Sequence, residues 1–433
     1  MSTLTQTSAV PAARQAGVGV AAAVIVLLFV FSAAGSALRK PVTQGFDEVA
    51  HVSYVAYLQT THQAWPRLEQ MRLIDPDTFE FTARANYLNH PPFYYRLIAA
   101  LGPEVSEQPA SLIQLRLLNV AIGTLGLLAL LGLAARMKLE GLEFYAFAVS
   151  CAAVPVLAPL AGSVNNDNLC FAGGALTMLG AYSYLVSSKR SWLIVACAGM
   201  FVAGISKLTG LLLCGGFLAA LLVVTGMRRT IRKTDIAIVA GSLAAAAVPY
   251  IAFTLHYGSP APNTPAQLDL LQGGAAATGW GAEPRMGAAT YTIVFLKNFL
   301  AEWMPSLEPR HPFQLALLAL PGATLAFAAA GTLLSWRAIG AGRGSDTNMM
   351  VAAGMLAIVA TLTIHIAFSY QRHLATGWMM DAYPRYYLPM MASVPLAAMT
   401  LANAAPSARI RSVLLSFLIV APVVFGLFGA PLG

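Results

Sequence analysis

The feature that most limits this chain is the recurrence of apolar runs of about 20 residues, the length needed to cross the hydrocarbon of a bilayer. Eleven such segments can be read: 17–37, 112–135, 142–160, 168–186, 191–206, 208–226, 236–255, 313–335, 348–369, 385–404 and 410–430. Only 10% of the residues are charged, against about 25% in soluble domains, so a single water-soluble core is excluded. In lipid each backbone N–H and C=O must find its partner within the protein. The expected fold is therefore all-α, a polytopic transmembrane helical bundle of about 11 spans. The two short spans on either side of Ser206 could also form one kinked hairpin. The first run follows Arg14 and ends in Gly35-Ser36-Ala37, the outline of a signal peptide, but its length suits a retained span.

Charge placement sets the expected orientation. With the N-terminus in the cytoplasm, the inner segments hold Arg14, Arg136, Lys138, Lys189, Arg190, Arg228, Arg229, Arg232, Lys233, Arg337, Arg343, Arg409 and Arg411, but only the acids Glu140, Glu143, Asp235 and Asp346. Each short inner turn is basic, as the positive-inside rule requires. The net charge of +8 is thus read as topological, and no nucleic-acid partner is expected. Cys151, Cys170, Cys197 and Cys214 all fall in apolar spans without metal spacing and read as small core residues.

Two outer segments are long, 38–111 and 256–312, and loops of this length usually carry function. In the first, Phe46, Val49, Ala50, Tyr54 and Tyr57 recur at helical spacing over 46–63, and a second helix opens at Pro91. Both are short and aromatic, so interfacial helices are expected in this loop. In the second loop, 258–265 and 273–284 read as irregular, and 291–303 as one more interfacial helix.

Five polar clusters stand out. Phe46-Asp47-Glu48-Val49-Ala50-His51 follows the first span, and on a helix Asp47 and Glu48 share a face with His51. Two carboxylates and an imidazole at a bilayer surface suit acid–base or cation chemistry, although a solvated helix start has the same composition. The second is Asn89-His90-Pro91-Pro92-Phe93-Tyr94-Tyr95, and the third Asn165-Asn166-Asp167-Asn168. These also fit helix punctuation and a polar turn. In Ser206-Lys207-Leu208-Thr209-Gly210 the lysine lies in an apolar region, where charge is costly and marks function by default unless it snorkels. Last comes Asp381-Ala382-Tyr383-Pro384-Arg385-Tyr386-Tyr387, whose arginine suits bidentate phosphate binding or interfacial anchoring. The charge-derived topology puts all five on one side of the membrane.

On these residues the chain resembles the integral membrane glycosyltransferases of the GT-C superfamily. It is most similar to the branch with protein O-mannosyltransferases and lipid A aminoarabinose transferases. The resemblance rests on Asp47-Glu48, His90-Pro91-Pro92 with Tyr94-Tyr95, Asn166-Asp167, Lys207-Leu208-Thr209-Gly210 and Arg385-Tyr386, in that order over roughly 350 residues. It implies one GT-C-like transmembrane domain over 1–433, working on the outer face of the plasma (inner) membrane. The donor would be a polyprenyl-phosphate sugar and the acceptor a glycan, lipid or protein. The family's essential acidic residue of the first outer loop carries over to Asp47.

Sugar transfer is then the expected activity. Asp47, Glu48 and His51 are the catalytic candidates. Lys207, Arg385 and Tyr386 would meet the donor phosphate, and His90, Tyr94, Asn166 and Asp167 the substrate. Divalent-metal dependence stays open. Many relatives carry a large soluble outer domain after the last span; none precedes Gly433 here, so nothing of that kind points to the acceptor. The alternative is a transporter or flippase of a lipid-linked envelope intermediate, which would show inverted repeats and midplane charges; a non-catalytic assembly subunit is a third reading.

Overall fold

The computed structural model describes residues 12–227, 230–278, 284–303, 312–379 and 383–428. Helix α1 (Ala12–Arg39) leads to α2 (Glu48–Thr61), an antiparallel hairpin of β1 (Arg72–Ile74) and β2 (Phe81–Ala85), and α3 (Phe93–Leu101). Then follow α4 (Pro109–Arg136), α5 (Gly141–Ala152), α6 (Leu157–Ala161), α7 (Asp167–Ser187), α8 (Arg190–Ser206), α9 (Leu208–Gly226) and α10 (Lys233–Tyr257). The second long loop holds α11 (Pro265–Thr278) and α12 (Ala288–Ala301). After it come α13 (Pro312–Leu317), α14 (Ala319–Gly340), α15 (Asp346–Thr376), a 3-10 stretch at Pro384–Met390, α16 (Ser393–Asn403) and α17 (Ala408–Phe428).

Among the described residues, eight helical segments are long and apolar enough to cross a bilayer, α13 and α14 counting as one, and α5, α8 and α12 are shorter apolar helices. The all-α polytopic architecture is thus as the apolar runs require. Each of the eleven expected spans contains helix, but three are interrupted, the eighth only by a turn residue, Leu318, between α13 and α14. The third breaks into α5 and α6 around Pro155, because proline lacks the N–H that the helix ladder needs. The tenth opens as the 3-10 stretch containing Pro384 and Pro389. The chain reverses between α8 and α9 at Lys207, whose φ and ψ of −159° and 142° are extended. The tight turn depends on Gly210: a Cβ there would collide with the Ala203 carbonyl and Cys170 Sγ.

The main core runs through the bundle. Helix α7 lies at its centre against α4 and α8, with glycine letting backbones approach, as membrane helix pairs commonly require. A Cβ on Gly173 would stand 2.6 Å from Ala203 N. A Cβ on Gly174 would overlap the main chain of Pro389, so this glycine seats the 3-10 stretch on α7. All four cysteines are buried and free.

The first long loop has a core of its own, built from α2, α3 and β1 on Leu115, Val164, Leu169 and Phe253. Helix α2 is covered on nearly every side, as a helix apolar all round must be. The hairpin was not foreseen. Its turn is held by Asp75, whose Oδ1 accepts from Asp77 N at 2.9 Å and Thr78 N at 3.0 Å, and Asp75-Pro76-Asp77 is a turn signal. In the second loop, the expectation of an irregular 273–284 fails as far as Thr278, where α11 continues through Gly273 and Gly274. Gly274 is needed because α11 passes Trp378, whose ring would stand 2.8 Å from a Cβ.

One buried ion pair ties the loop to the bundle. Arg116 of α4 donates from Nε to Glu48 Oε1 at 2.8 Å and from Nη2 to Oε2 at 2.7 Å. Its Nη1 donates to the carbonyls of Ala37 and Lys40 at 3.0 and 2.7 Å, and Val164 N donates to Glu48 Oε1 at 2.8 Å. Both side chains are at most 3% exposed. Removing one partner leaves a buried uncompensated charge, which costs about 3–5 kcal/mol. Arg116→Met should therefore lower the melting temperature in detergent markedly, and the double variant Glu48→Leu/Arg116→Met should recover part of the loss. Equal melting temperatures for wild type and Arg116→Met would show that the pair does not anchor the loop.

Candidate functional site

The site begins with an unusual stretch of backbone. Gly45, Phe46 and Asp47 are consecutive left-handed residues, with φ of 86°, 58° and 59°. Such conformations in non-glycine residues cost of order 1–3 kcal/mol each and cluster where geometry serves a function. Here they turn Asp47 and Glu48 in different directions. Glu48 goes inward to Arg116. Asp47 faces open space with its side chain 42% exposed; its Oδ2 accepts from Arg385 Nη2 at 2.9 Å and its Oδ1 from the Tyr87 hydroxyl at 3.0 Å.

The start of α7 meets this carboxylate through Arg385. Asp167 lies between two cations: Lys207 Nζ donates to Oδ1 at 2.7 Å, and Arg385 Nε faces Oδ2 at 3.5 Å. The second contact is too long for a hydrogen bond, and both of its atoms are buried without a hydrogen-bond partner among the described residues. Lys207 Nζ also sits 3.7 Å from the centroid of the Tyr386 ring. The Arg385 guanidinium is stacked among Phe46, Tyr383 and Tyr386, at 5.4, 4.4 and 5.6 Å from their ring centroids.

His51 is fully engaged. Asn165 is oriented by donating to Phe46 O at 2.8 Å and accepting from Asp167 N at 2.8 Å. Its Nδ2 must therefore donate to His51 Nε2, 3.0 Å away, which leaves Nδ1 to carry the proton to the Tyr95 hydroxyl at 2.9 Å. Burial first, then the charges of Lys207 and Arg385, hold the imidazole well below its ordinary pKa, so the ring is neutral at pH 7. The ring of His90 stacks beside it, centroids 6.2 Å apart. Burial, Lys207 and His51 hold His90 low as well, with Asp47 opposing and Arg385 adding to the shift. Its imidazole is only half-buried and has no hydrogen bond among the described residues.

The structure therefore gathers Asp47, Glu48, His51, His90, Asp167, Lys207, Arg385 and Tyr386 at one end of the bundle. Two substrate-contact candidates offer no surface. Tyr94 is fully buried with its hydroxyl on Asn119 Oδ1 at 2.7 Å. Asn166 is fully buried and donates to Ser206 O at 2.9 Å, tying α7 to the turn at Lys207. Asp381, within the last sequence cluster, lies outside the described residues. Among the described residues no group of three His, Cys, Asp or Glu could hold a metal ion. Sequence reasoning missed Arg116, Tyr87 and Lys40, and singled out Asn165 only as part of a polar cluster without a role of its own. Only Arg116 carried a signal, a charge inside an apolar span.

Fold and site together describe a polytopic helical membrane protein with a polar cluster at one end of its bundle. The chain shares its fold with the oligosaccharyltransferase of Archaeoglobus fulgidus in its apo form, at a TM-score of 0.50 and 16% identity over 93% of this chain and 55% of that one. It thus spans about half the length of that relative. More distant likenesses are to ArnT from Cupriavidus metallidurans. In its apo state the TM-score is 0.39 at 17% identity, over 94% of this chain and 78% of that one. Bound to undecaprenyl phosphate it is 0.37 at 16%, with the same coverage. No functionally curated protein matches the sequence. The chain belongs to the family described as "Predicted membrane protein (DUF2142)", which matches residues 71–394, about three-quarters of its length.

Lys40, just past α1, donates from Nζ to Ser163 Oγ at 2.9 Å and lies 4.4 Å from the Phe46 ring centroid. Burial lowers its pKa to about 8 from 10.5, with Glu48 opposing and Arg116 and Arg385 adding to the shift. The unfolded chain binds the extra proton between these values, so the Lys40 contribution to stability rises with pH from about 8 towards 10.5. Only the neutral amine acylates. Modification of Lys40 by a water-soluble amine reagent, followed by mass spectrometry, should reach half its maximum rate near pH 8. A midpoint near the ordinary lysine value would overturn this assignment.

Proposed function

We propose that the protein transfers a sugar from a polyprenyl-phosphate donor to an acceptor outside the cytoplasmic membrane. Carrying this reading is the convergence on Asp47: the carboxylate faces open space while Arg385 and Tyr87 fix it from two sides. The GT-C fold and the sequence resemblance supply the reaction class. In the step proposed, an acceptor hydroxyl attacks the anomeric carbon. A new C–O bond forms there, the bond to the phosphate oxygen breaks, and polyprenyl phosphate leaves with the electron pair.

Asp47 takes the acceptor proton as general base. Glu48 and His51 act by position: one anchors the start of α2, the other locks Asn165 and through it the turn before α7. Lys207 and Arg385 pair with Asp167 and Asp47 and so fix where each carboxylate points. Buried polar atoms left short of partners, such as Arg385 Nε and Asp167 Oδ2, suit a site that is completed on binding.

Asp47→Asn keeps size and removes the basic oxygen. Loss of a general base typically costs about 100-fold to 10,000-fold. Purified protein incubated with labelled polyprenyl-phosphate sugars should release lipid phosphate, and Asp47→Asn should reduce this by that factor at an unchanged melting temperature. Near wild-type turnover in the variant would remove Asp47 from the mechanism. Lipid-linked sugar carried across vesicles without hydrolysis or transfer would favour a flippase instead.

The outward-facing site requires an N-in arrangement, which the basic inner turns favour. Reporter fusions after Arg190 and Arg232 should read cytoplasmic, and fusions within 60–85 extracytoplasmic. The reverse pattern would put the site on the wrong face for such a donor.

A further inference from the structure

The acids of the site are matched one to one. Glu48 pairs with Arg116, Asp167 with Lys207 and Asp47 with Arg385, at 2.7, 2.7 and 2.9 Å. A donor phosphate adds negative charge that these pairs, already neutral, do not offset. A cation whose charge is not yet committed is needed beside them.

Two further cations lie near the cluster. Lys40 is held by Ser163 and the Phe46 ring, and its amine loses its charge above about pH 8. Arg372 is different. It is half-buried near the end of α15, and its guanidinium has neither hydrogen bond nor ion pair among the described residues. Its electrostatic neighbours are the hydroxyl groups of Tyr386 and Tyr291, with no carboxylate among them.

Its placement connects it to the site. His365 and Arg372 are seven residues apart on α15, about two turns, so both side chains leave the same face. The His365 ring lies 5.7 Å from the Tyr386 ring, and its Nδ1 lies 3.2 Å from the Tyr387 hydroxyl. Tyr386 in turn touches Lys207 through its ring, and its own hydroxyl has no partner among the described residues. Tyr386 therefore links the Lys207–Asp167 pair to the face of α15 that carries Arg372. Depth fits as well. The 31 residues of α15 span about 46 Å, well beyond the roughly 30 Å of hydrocarbon, so Arg372, four residues from the helix end, lies at headgroup level.

We propose that Arg372, with the Tyr386 hydroxyl beside it, receives the phosphate of the lipid-linked donor, while Lys207 and Arg385 hold Asp167 and Asp47 in place. This rests on the transfer reading above. Guanidinium is suited to the task, since it offers two parallel N–H groups to phosphate oxygens and keeps its charge. An arginine that only anchored the helix in the headgroup layer would have no preference for the donor over bulk lipid.

The test uses the full chain in nanodiscs of zwitterionic phosphatidylcholine, titrated with undecaprenyl phosphate carrying no sugar. Wild type should bind, Arg372→Gln should weaken binding at least tenfold, and Arg372→Lys should restore part of it. Melting temperature without ligand should be unchanged or higher in Arg372→Gln, because the lost charge had no carboxylate partner among the described residues; a purely structural arginine would lower it. Equal affinity of wild type and Arg372→Gln overturns the assignment and leaves the transfer reading standing. So does a loss of binding in Lys207→Met at normal melting temperature with Arg372→Gln unaffected. Failure of the wild type to bind undecraprenyl phosphate at all removes the transfer reading, and this inference with it.

Discussion

The buried contact between Glu48 and Arg116 is the interaction on which the rest of the site depends. It joins the end of α1, the start of α2, the first third of α4 and the turn before α7, because Arg116 also holds the carbonyls of Ala37 and Lys40 and Glu48 also accepts from Val164 N. Two charges taken out of water are expensive, and they are tolerated only when hydrogen bonds satisfy nearly all their donors and acceptors. That condition is met here by four N–H···O contacts of the guanidinium. With α2 pinned at its first residue, Asp47 immediately before it has one place to go. The left-handed backbone at Phe46 and Asp47 is the strained consequence.

Around this anchor the polar groups are arranged in two tiers. The inner tier is dry and closed: His51 between Asn165 and Tyr95, Tyr94 on Asn119, and Asn168 donating to Asn119 Oδ1 at 3.1 Å. None of these side chains has a free face for a substrate. They make a closed floor beneath the site, in which Asn168 Oδ1 alone of these groups has no hydrogen-bond partner among the described residues. The outer tier is open: Asp47, half-buried His90, the Tyr386 hydroxyl and Arg372. Chemistry that needs a mobile proton or an incoming anion belongs to this second set. Proximity in sequence does not separate the two, since Asp47 and Glu48 are neighbours and fall in different tiers.

The architecture explains how groups so far apart in the chain reach one place. Each comes from a point where a helix begins, ends or breaks at the same end of the bundle: the start of α2, the start of α7, the one-residue turn at Lys207, and the 3-10 stretch that carries Arg385. Glycines make the approach close enough. Gly174 admits Pro389 and with it the segment bearing Arg385, and Gly210 admits the end of α8. Helix backbone is irregular only where it is buried in protein, as the bilayer demands.

The sequence by itself determined the fold class, because apolar runs long enough to cross hydrocarbon leave helices as the economical solution and each run announces itself locally. It also marked Asp47, Lys207, Asp167 and Arg385, since charged residues beside such runs stand out against their surroundings. Tertiary structure alone decided which charges pair. Asp47 meets Arg385 across 338 positions of chain, and Glu48 meets Arg116 across 68, separations that carry no local periodicity. The β-hairpin, the break at Pro155, the burial of Tyr94 and Asn166, and the cation at Arg372 that meets no carboxylate among the described residues were likewise legible only once the helices were packed. A side chain's partner is set by the geometry of neighbouring helices, and that geometry is a property of the whole bundle rather than of any stretch within it.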